Sequence, residues 1–241
     1  MLGRAAHEVR AFFTAALLTP VERDHEEATP VRHRRRVVVG VTLVLGSVSL
    51  GLALAIQPGD PLFYPATLGV AALWTAGALA SGRLYLGRAH TRGGRQSLAV
   101  VQGFLLGAAL LAVFLAGAVV VGRVPVLREP VDSILDHARY GSVAIVALIT
   151  AINGVAEELF FRGAVYAALD RRWNVIGSTV LYALSTVFAG VPLLTFAAAA
   201  LGLLTAQQRR VTGGVLGPIV SHLTWSLGML FLLPTALTLG G

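Results

Sequence analysis

An all-α, polytopic transmembrane helix bundle of about seven spans, with its N-terminus in the cytoplasm, is predicted by three observations. The 241 residues are 56% hydrophobic and only 13% charged, with a mean hydropathy of +0.75, where soluble domains carry roughly 25% charged residues. Apolar runs of about 17 to 25 residues, the length a helix needs to cross the hydrocarbon layer, recur along the chain. The charges gather at the ends of those runs, which is how membrane topology is encoded. The segments between runs are short, leaving room for one membrane-embedded domain over 37–241 behind a cytoplasmic segment over 1–36.

The N-terminal segment comes first. Its apolar stretch from Ala11 to Leu18 is short, has no small-residue cleavage site and runs into Glu22-Arg23-Asp24, unlike a secretory signal. Leu2, Ala6, Val9, Phe13, Ala16 and Leu17 recur at helical spacing with Arg4, His7 and Arg10 elsewhere, the pattern of an interfacial helix. Clear spans follow at 37–56, 62–82 and 98–121. The run 141–169 is one long span, 175–189 and 193–206 are short ones around Gly190-Val191-Pro192, and 215–233 is the last. With the N-terminus inside, the inside segments hold Arg4, Arg10, Arg23, Arg32, Arg34, Arg35 and Arg36, then Arg83, Arg88, Arg92 and Arg95, then Arg171 and Arg172, then Arg209 and Arg210. Outside stand only Arg123, Arg128 and Arg139, offset by Glu129, Asp132 and Asp136, so every loop obeys the positive-inside rule.

Composition also excludes some classes. All 19 basic residues are Arg, and the pI near 10.9 suits a nucleic-acid binder, but the clustering at span ends argues for no nucleic acid. With no cysteine, disulfides, thiol nucleophiles and Cys-based metal sites are unavailable. Abundant Ala, Gly, Val and Arg without Lys suggests GC-rich coding, and so a bacterial plasma membrane.

The chemistry concentrates in Ala156-Glu157-Glu158-Leu159-Phe160-Phe161-Arg162. A charge at the bilayer centre costs about 3 kcal/mol even on the lenient insertion scale, so three in one span need a partner or a task. On a helix Glu158 and Arg162 share a face at the spacing of an ion pair. Glu157 points about 100° away, over Asn153, with no local partner. Separating two carboxylates in this way is how a site obtains one structural and one reactive carboxyl. In the last span His222 is the single histidine of six placed at membrane depth, with Ser226 one turn on and Pro218 one turn before, where it would loosen the backbone. Counted from the cytoplasmic ends of their spans, Glu157, Thr186, His222 and Ser226 lie about 10 to 18 Å deep, close enough to meet.

These motifs resemble those of the CAAX protease and bacteriocin-processing (CPBP) family, an all-helical group of intramembrane peptidases, over roughly residues 141 to 234. The family's first motif, two Glu followed after three residues by Arg, is matched in full by Glu157, Glu158 and Arg162. Its middle motif, an aromatic followed after three residues by His, keeps the aromatic as Tyr182 and has Thr186 for His. Its last motif keeps His222 and has Ser226 for Asn or Asp. The resemblance implies an intramembrane endopeptidase that hydrolyses membrane-associated peptides or proteins, with Glu157, Glu158, Arg162 and His222 catalytic and Tyr182, Thr186 and Ser226 binding substrate. It implies a water activated on a zinc ion or without metal. Zinc as a cofactor stays open: Glu157 and His222 are good ligands, the hydroxyls of Thr186 and Ser226 poor ones. Two other readings stand beside it: an inactive relative serving as a membrane scaffold or immunity-type protein, and a proton-coupled transporter, which the lack of an internal repeat disfavours.

Overall fold

The computed structural model describes residues 2–21, 29–90 and 95–240, with side chains described from residue 6 to 239. Glu22, Arg23, Asp24 and Arg92 lie outside the described residues, as do the side chains of Leu2 and Arg4. The described chain is helical almost throughout: a polytopic helical bundle. Its one sheet is a two-residue antiparallel pair, β1 (Ala89–His90) with β2 (Gln96–Ser97).

α1 (Leu2–Leu17) is amphipathic, as its spacing predicts, and its C-terminal end attaches to the bundle. Ala16 is buried, and Gln207 Nε2 donates to the carbonyl of Leu17 at 2.6 Å, while Val9 and Phe13 are exposed. α2 (Thr29–Leu54) begins well before residue 37, so the basic cluster is helical. Its arginines close other helices. Arg34 donates to the carbonyl of Ala80 at 3.0 Å, and buried Arg35 to Ser81 Oγ and the Arg83 carbonyl, each at 3.2 Å, all around the end of α3 (Phe63–Ser81). Arg36 donates to the carbonyl of Ala168 at 2.9 Å and pairs with Asp170 at 2.8 Å. Cations on terminal carbonyls satisfy acceptors that a helix leaves open and complement its dipole.

α2 and α3 meet where Gly46 leaves room for the fully buried Trp74; a Cβ at Gly46 would collide with the indole. Trp74 in turn stacks on Phe160 and Phe161, at 4.7 and 5.2 Å between centroids. α4 (Val100–Val121) carries Gly103 and Gly107 four apart, and both press on the backbone of the last helix, where a Cβ would stand 2.7 Å from the Gly217 carbonyl and 2.5 Å from that of Ser221. Small residues at this spacing let two membrane helices approach backbone to backbone. The segment expected as an outside loop is a helix, α5 (Pro125–Arg139), started by a proline at its first turn and laced by Arg128–Asp132, Arg139–Asp132 and Arg139–Asp136 pairs.

The motif-bearing run is continuous over Val143–Ala168: α6 (Val143–Glu158), a π-helical stretch Leu159–Val165 and the short α7 (Tyr166–Ala168). Residues 160–166 are all buried, as a helix enclosed on every side requires. α8 (Asn174–Ser185) ends in a 3₁₀ turn, and Gly190, at φ +71°, turns the chain into Pro192 at the start of α9 (Pro192–Thr212). α10 (Leu216–Gly240) follows. Pro218 falls in its first turn, where no intrahelical N–H bond is lost, so it introduces no kink. The irregular backbone at this depth is instead the break from Thr186 to Pro192.

Among the described residues, five helices are long and apolar enough to cross a membrane: Thr29–Leu54, Phe63–Ser81, Val100–Val121, Val143–Ala168 and Leu216–Leu239. The two short spans expected at 175–189 and 193–206 correspond to α8, about 18 Å long, and to α9, whose last turn carries Arg209 and Arg210.

Candidate active site

Four helices build the site. α6 delivers Glu157 and Glu158 at its end, and the π-helical stretch delivers Arg162 one turn on. α8 delivers Tyr182, and α10 delivers His222. Two glycines let the helices close. A Cβ on Gly154 would sit 3.2 Å from Leu223 and 3.4 Å from the His222 ring, and one on Gly202 of α9 would sit 3.2 Å from Tyr182 and 3.3 Å from Arg162 Nη2.

Glu158 and Arg162 are fully buried and face each other at 3.2 Å, as the spacing predicts. The pair is close without being aligned: Arg162 Nε, Nη1 and Nη2 and Glu158 Oε2 make no hydrogen bond among the described residues. What holds Glu158 is His222, whose Nδ1 lies 2.8 Å from Oε1. A carboxylate only accepts, so this nitrogen is the donor and Nε2 is the free face of the ring. Nε2 stands 3.9 Å from Glu157 Oε2, too far for a direct hydrogen bond.

Glu157 finds its partner on another helix. The Tyr182 hydroxyl donates to Glu157 Oε2 at 2.6 Å, and the Tyr182 ring carries the Arg162 guanidinium on its face at 4.5 Å. One aromatic thus touches Glu157 and the counter-ion of Glu158. The glutamates have separate environments, as the sequence suggests, but His222 is bonded to Glu158 and only faces Glu157.

Thr186 and Ser226 stand apart from this cluster. The Thr186 hydroxyl donates to the Ala183 carbonyl at 2.7 Å and lies 3.1 Å from the Thr195 hydroxyl. Ser226 Oγ is buried with no hydrogen-bond partner among the described residues, one turn from His222 on α10.

Residues 139–228 match the family described as type II CAAX prenyl endopeptidase, Rce1-like. Over that segment the chain is similar to that family, in keeping with the motifs it carries. The match takes in Glu157, Glu158, Arg162, Tyr182, Thr186, His222 and Ser226, and leaves α1 to α4 outside it. No curated protein and no solved structure matches the chain.

The donor set of this cluster does not suit zinc. Catalytic zinc commonly takes three protein ligands from His and carboxylate. Here Glu158 is committed to His222 Nδ1 and Arg162, Thr186 to the Ala183 carbonyl, and no group of three His, Asp or Glu among the described residues is placed to hold an ion. Sequence reasoning missed the part played by Gly154, Gly202 and Arg209. Arg209 reads in the sequence as a topology charge, yet it is buried and its Nε donates to the carbonyl of Arg162 at 2.8 Å.

Proposed function

We propose that the chain is a CAAX-type intramembrane endopeptidase that hydrolyses a membrane-associated peptide or protein with a water activated by Glu157. The observation that carries this reading is the position of His222, bonded to Glu158 and facing Glu157 across 3.9 Å, a gap that a water bonded to both can bridge. Glu158 and Arg162 orient the imidazole, as a buried acid orients the histidine of a hydrolytic triad. With His222 doubly protonated, the two carboxylates and two cations sum to zero, the cheapest charge state for a buried cluster.

In this scheme the water oxygen attacks the scissile carbonyl carbon while Glu157 takes its proton. His222 Nε2–H donates to the oxyanion, and the proton then passes from Glu157 to the leaving amine as the C–N bond breaks. Tyr182 holds Glu157 in place, and no step passes through a metal. The setting is a bacterial plasma membrane with the N-terminus cytoplasmic, which the arginine distribution supports. The test is a comparison of new protein N-termini, by mass spectrometry, in membranes expressing wild type or Glu157→Gln at equal levels. Termini that vanish with the Gln variant establish the peptidase; identical sets refute it.

One observation favours an inactive relative acting as a membrane scaffold or immunity-type protein. Thr186 stands where the family has its middle histidine, and its hydroxyl is spent on the Ala183 carbonyl. Thr186→His with Ser226→Asn discriminates: cleavage that appears only in the double variant supports the inactive reading, while cleavage already present in wild type discards it.

A further inference from the structure

The carbonyl of Arg162 is held by a donor from outside its own helix. In an α-helix it would accept the N–H of Tyr166, four residues on. Here the N–H of Tyr166 reaches back five residues to Phe161, the pairing of a π-helix. The Arg162 carbonyl, which has lost that donor, accepts from Arg209 Nε on the last turn of α9. The guanidinium of Arg209 also lies over the Tyr166 ring, 5.1 Å from its centroid, so one side chain touches both residues whose α-helical bond is missing. Buried carbonyls are nearly always paired, so the donor determines whether this π turn is tolerated at all.

We propose that Arg209 is a positioning residue: its Nε–H holds the π turn, and the turn sets where Arg162, Glu158 and His222 stand. The connection is continuous, from Arg209 Nε to Arg162 O at 2.8 Å, Arg162 Nη1 to Glu158 Oε1 at 3.2 Å, and Glu158 Oε1 to His222 Nδ1 at 2.8 Å. The same turn of α9 braces α10, because Gln208 Oε1 accepts from Ser221 Oγ at 2.8 Å, next to His222. The importance of this arrangement for catalysis rests on the peptidase reading; the arrangement itself does not. What counts is a hydrogen-bond donor at one place, not a charge.

Two near-isosteric variants separate those properties. Gln carries its amide nitrogen as many bonds from Cα as Arg carries Nε, whereas Met puts a methyl there. The readout is the ¹⁵N signal of His222 in the full chain, labelled at histidine, reconstituted in bilayers and assigned by its loss in His222→Asn. Arg209→Met is expected to shift the Nδ1 resonance away from its Glu158-bonded position, and Arg209→Gln to keep the wild-type signal. With a cleaved peptide in hand, kcat should fall about tenfold in Arg209→Met at unchanged KM and be retained in Arg209→Gln. Equal shifts in both variants, or a wild-type signal in Arg209→Met, overturn the proposal. If Arg209→Met does not fold, Arg209→Gln decides alone: a wild-type signal supports the donor role and a shifted one overturns it. The ring signal does not depend on cleavage, so a wild type that cleaves nothing counts against the peptidase reading only.

Discussion

α5 and the core of the bundle use the same chemistry in opposite settings. On α5, Asp132 pairs with Arg128 at 3.1 Å and Arg139 at 2.9 Å, and Arg139 reaches Asp136 as well, with every partner a quarter to two-fifths exposed. In the core, Glu158 and Arg162 meet at 3.2 Å with no exposure at all. Water and redundant partners support the first set, so each member is replaceable. The second is enclosed, with His222 and Tyr182 as its close polar side-chain neighbours among the described residues, and removing one member leaves another charge buried and uncompensated. Burial, not the pairing of acid with arginine, separates a site from a surface network.

That contrast can be broken most sharply at Glu157. Glu157→Gln should lower cleavage by about 10²- to 10⁴-fold, the usual share of a general base, in protein that inserts and unfolds like wild type; comparison of new N-termini checks the first part and thermal unfolding in detergent the second. Glu158→Gln tests the neighbouring carboxylate, and should cost about 3–5 kcal/mol of stability because Arg162 is left uncompensated; an unfolding midpoint equal to that of Glu157→Gln would contradict the separation of roles. Tyr182→Phe removes one charge-assisted hydrogen bond from Glu157, worth about 1.5–3 kcal/mol, and should appear as a ten- to hundredfold loss of turnover with the fold intact. Asp132→Asn on α5 should change stability by less than about 1 kcal/mol.

The sign of a pH effect at Asp132 follows from its neighbours. Burial raises its pKa, but the hydrogen bonds from Arg139 and Arg128 outweigh it, and the carboxyl ends below its usual value. Its stabilisation is therefore fully present above the ordinary carboxylate range and is lost as pH falls through the lower folded value. Unfolding midpoints of wild type and Asp132→Asn should converge in that acidic window; a difference that grows on acidification would contradict the pairing.

The parts of the molecule legible in the sequence are those governed by local rules. Span length and hydropathy mark the five long apolar helices, and a spacing of four marks Glu158 and Arg162. The amphipathic pattern marks α1. Partnerships between helices were not legible. Nothing local says that Tyr182, twenty-five residues away, meets Glu157, or that His222 bonds Glu158 while only facing its neighbour. The π-helical stretch was equally hidden, because its stability depends on Arg209 from another helix. Arg35 shows the same limit in reverse: in a basic cluster it reads as a topology charge, yet it is fully buried against the end of α3. Pro218 reads as a kink until the helix start at Leu216 puts it in the first turn.

Gly103 and Gly107 have a consequence for the birth of the protein. They hold α4 against α10, more than a hundred residues later in the chain, and α10 also brings His222. A ribosome delivers helices in order, so α4 enters the bilayer with its glycine face bare and waits through α5 to α9 for its match. Glu157, Glu158 and Arg162 are likewise synthesised before the imidazole that joins them. The cluster is thus completed only when α10 docks, and a nascent chain halted before that point carries buried acids without the imidazole that lies between them.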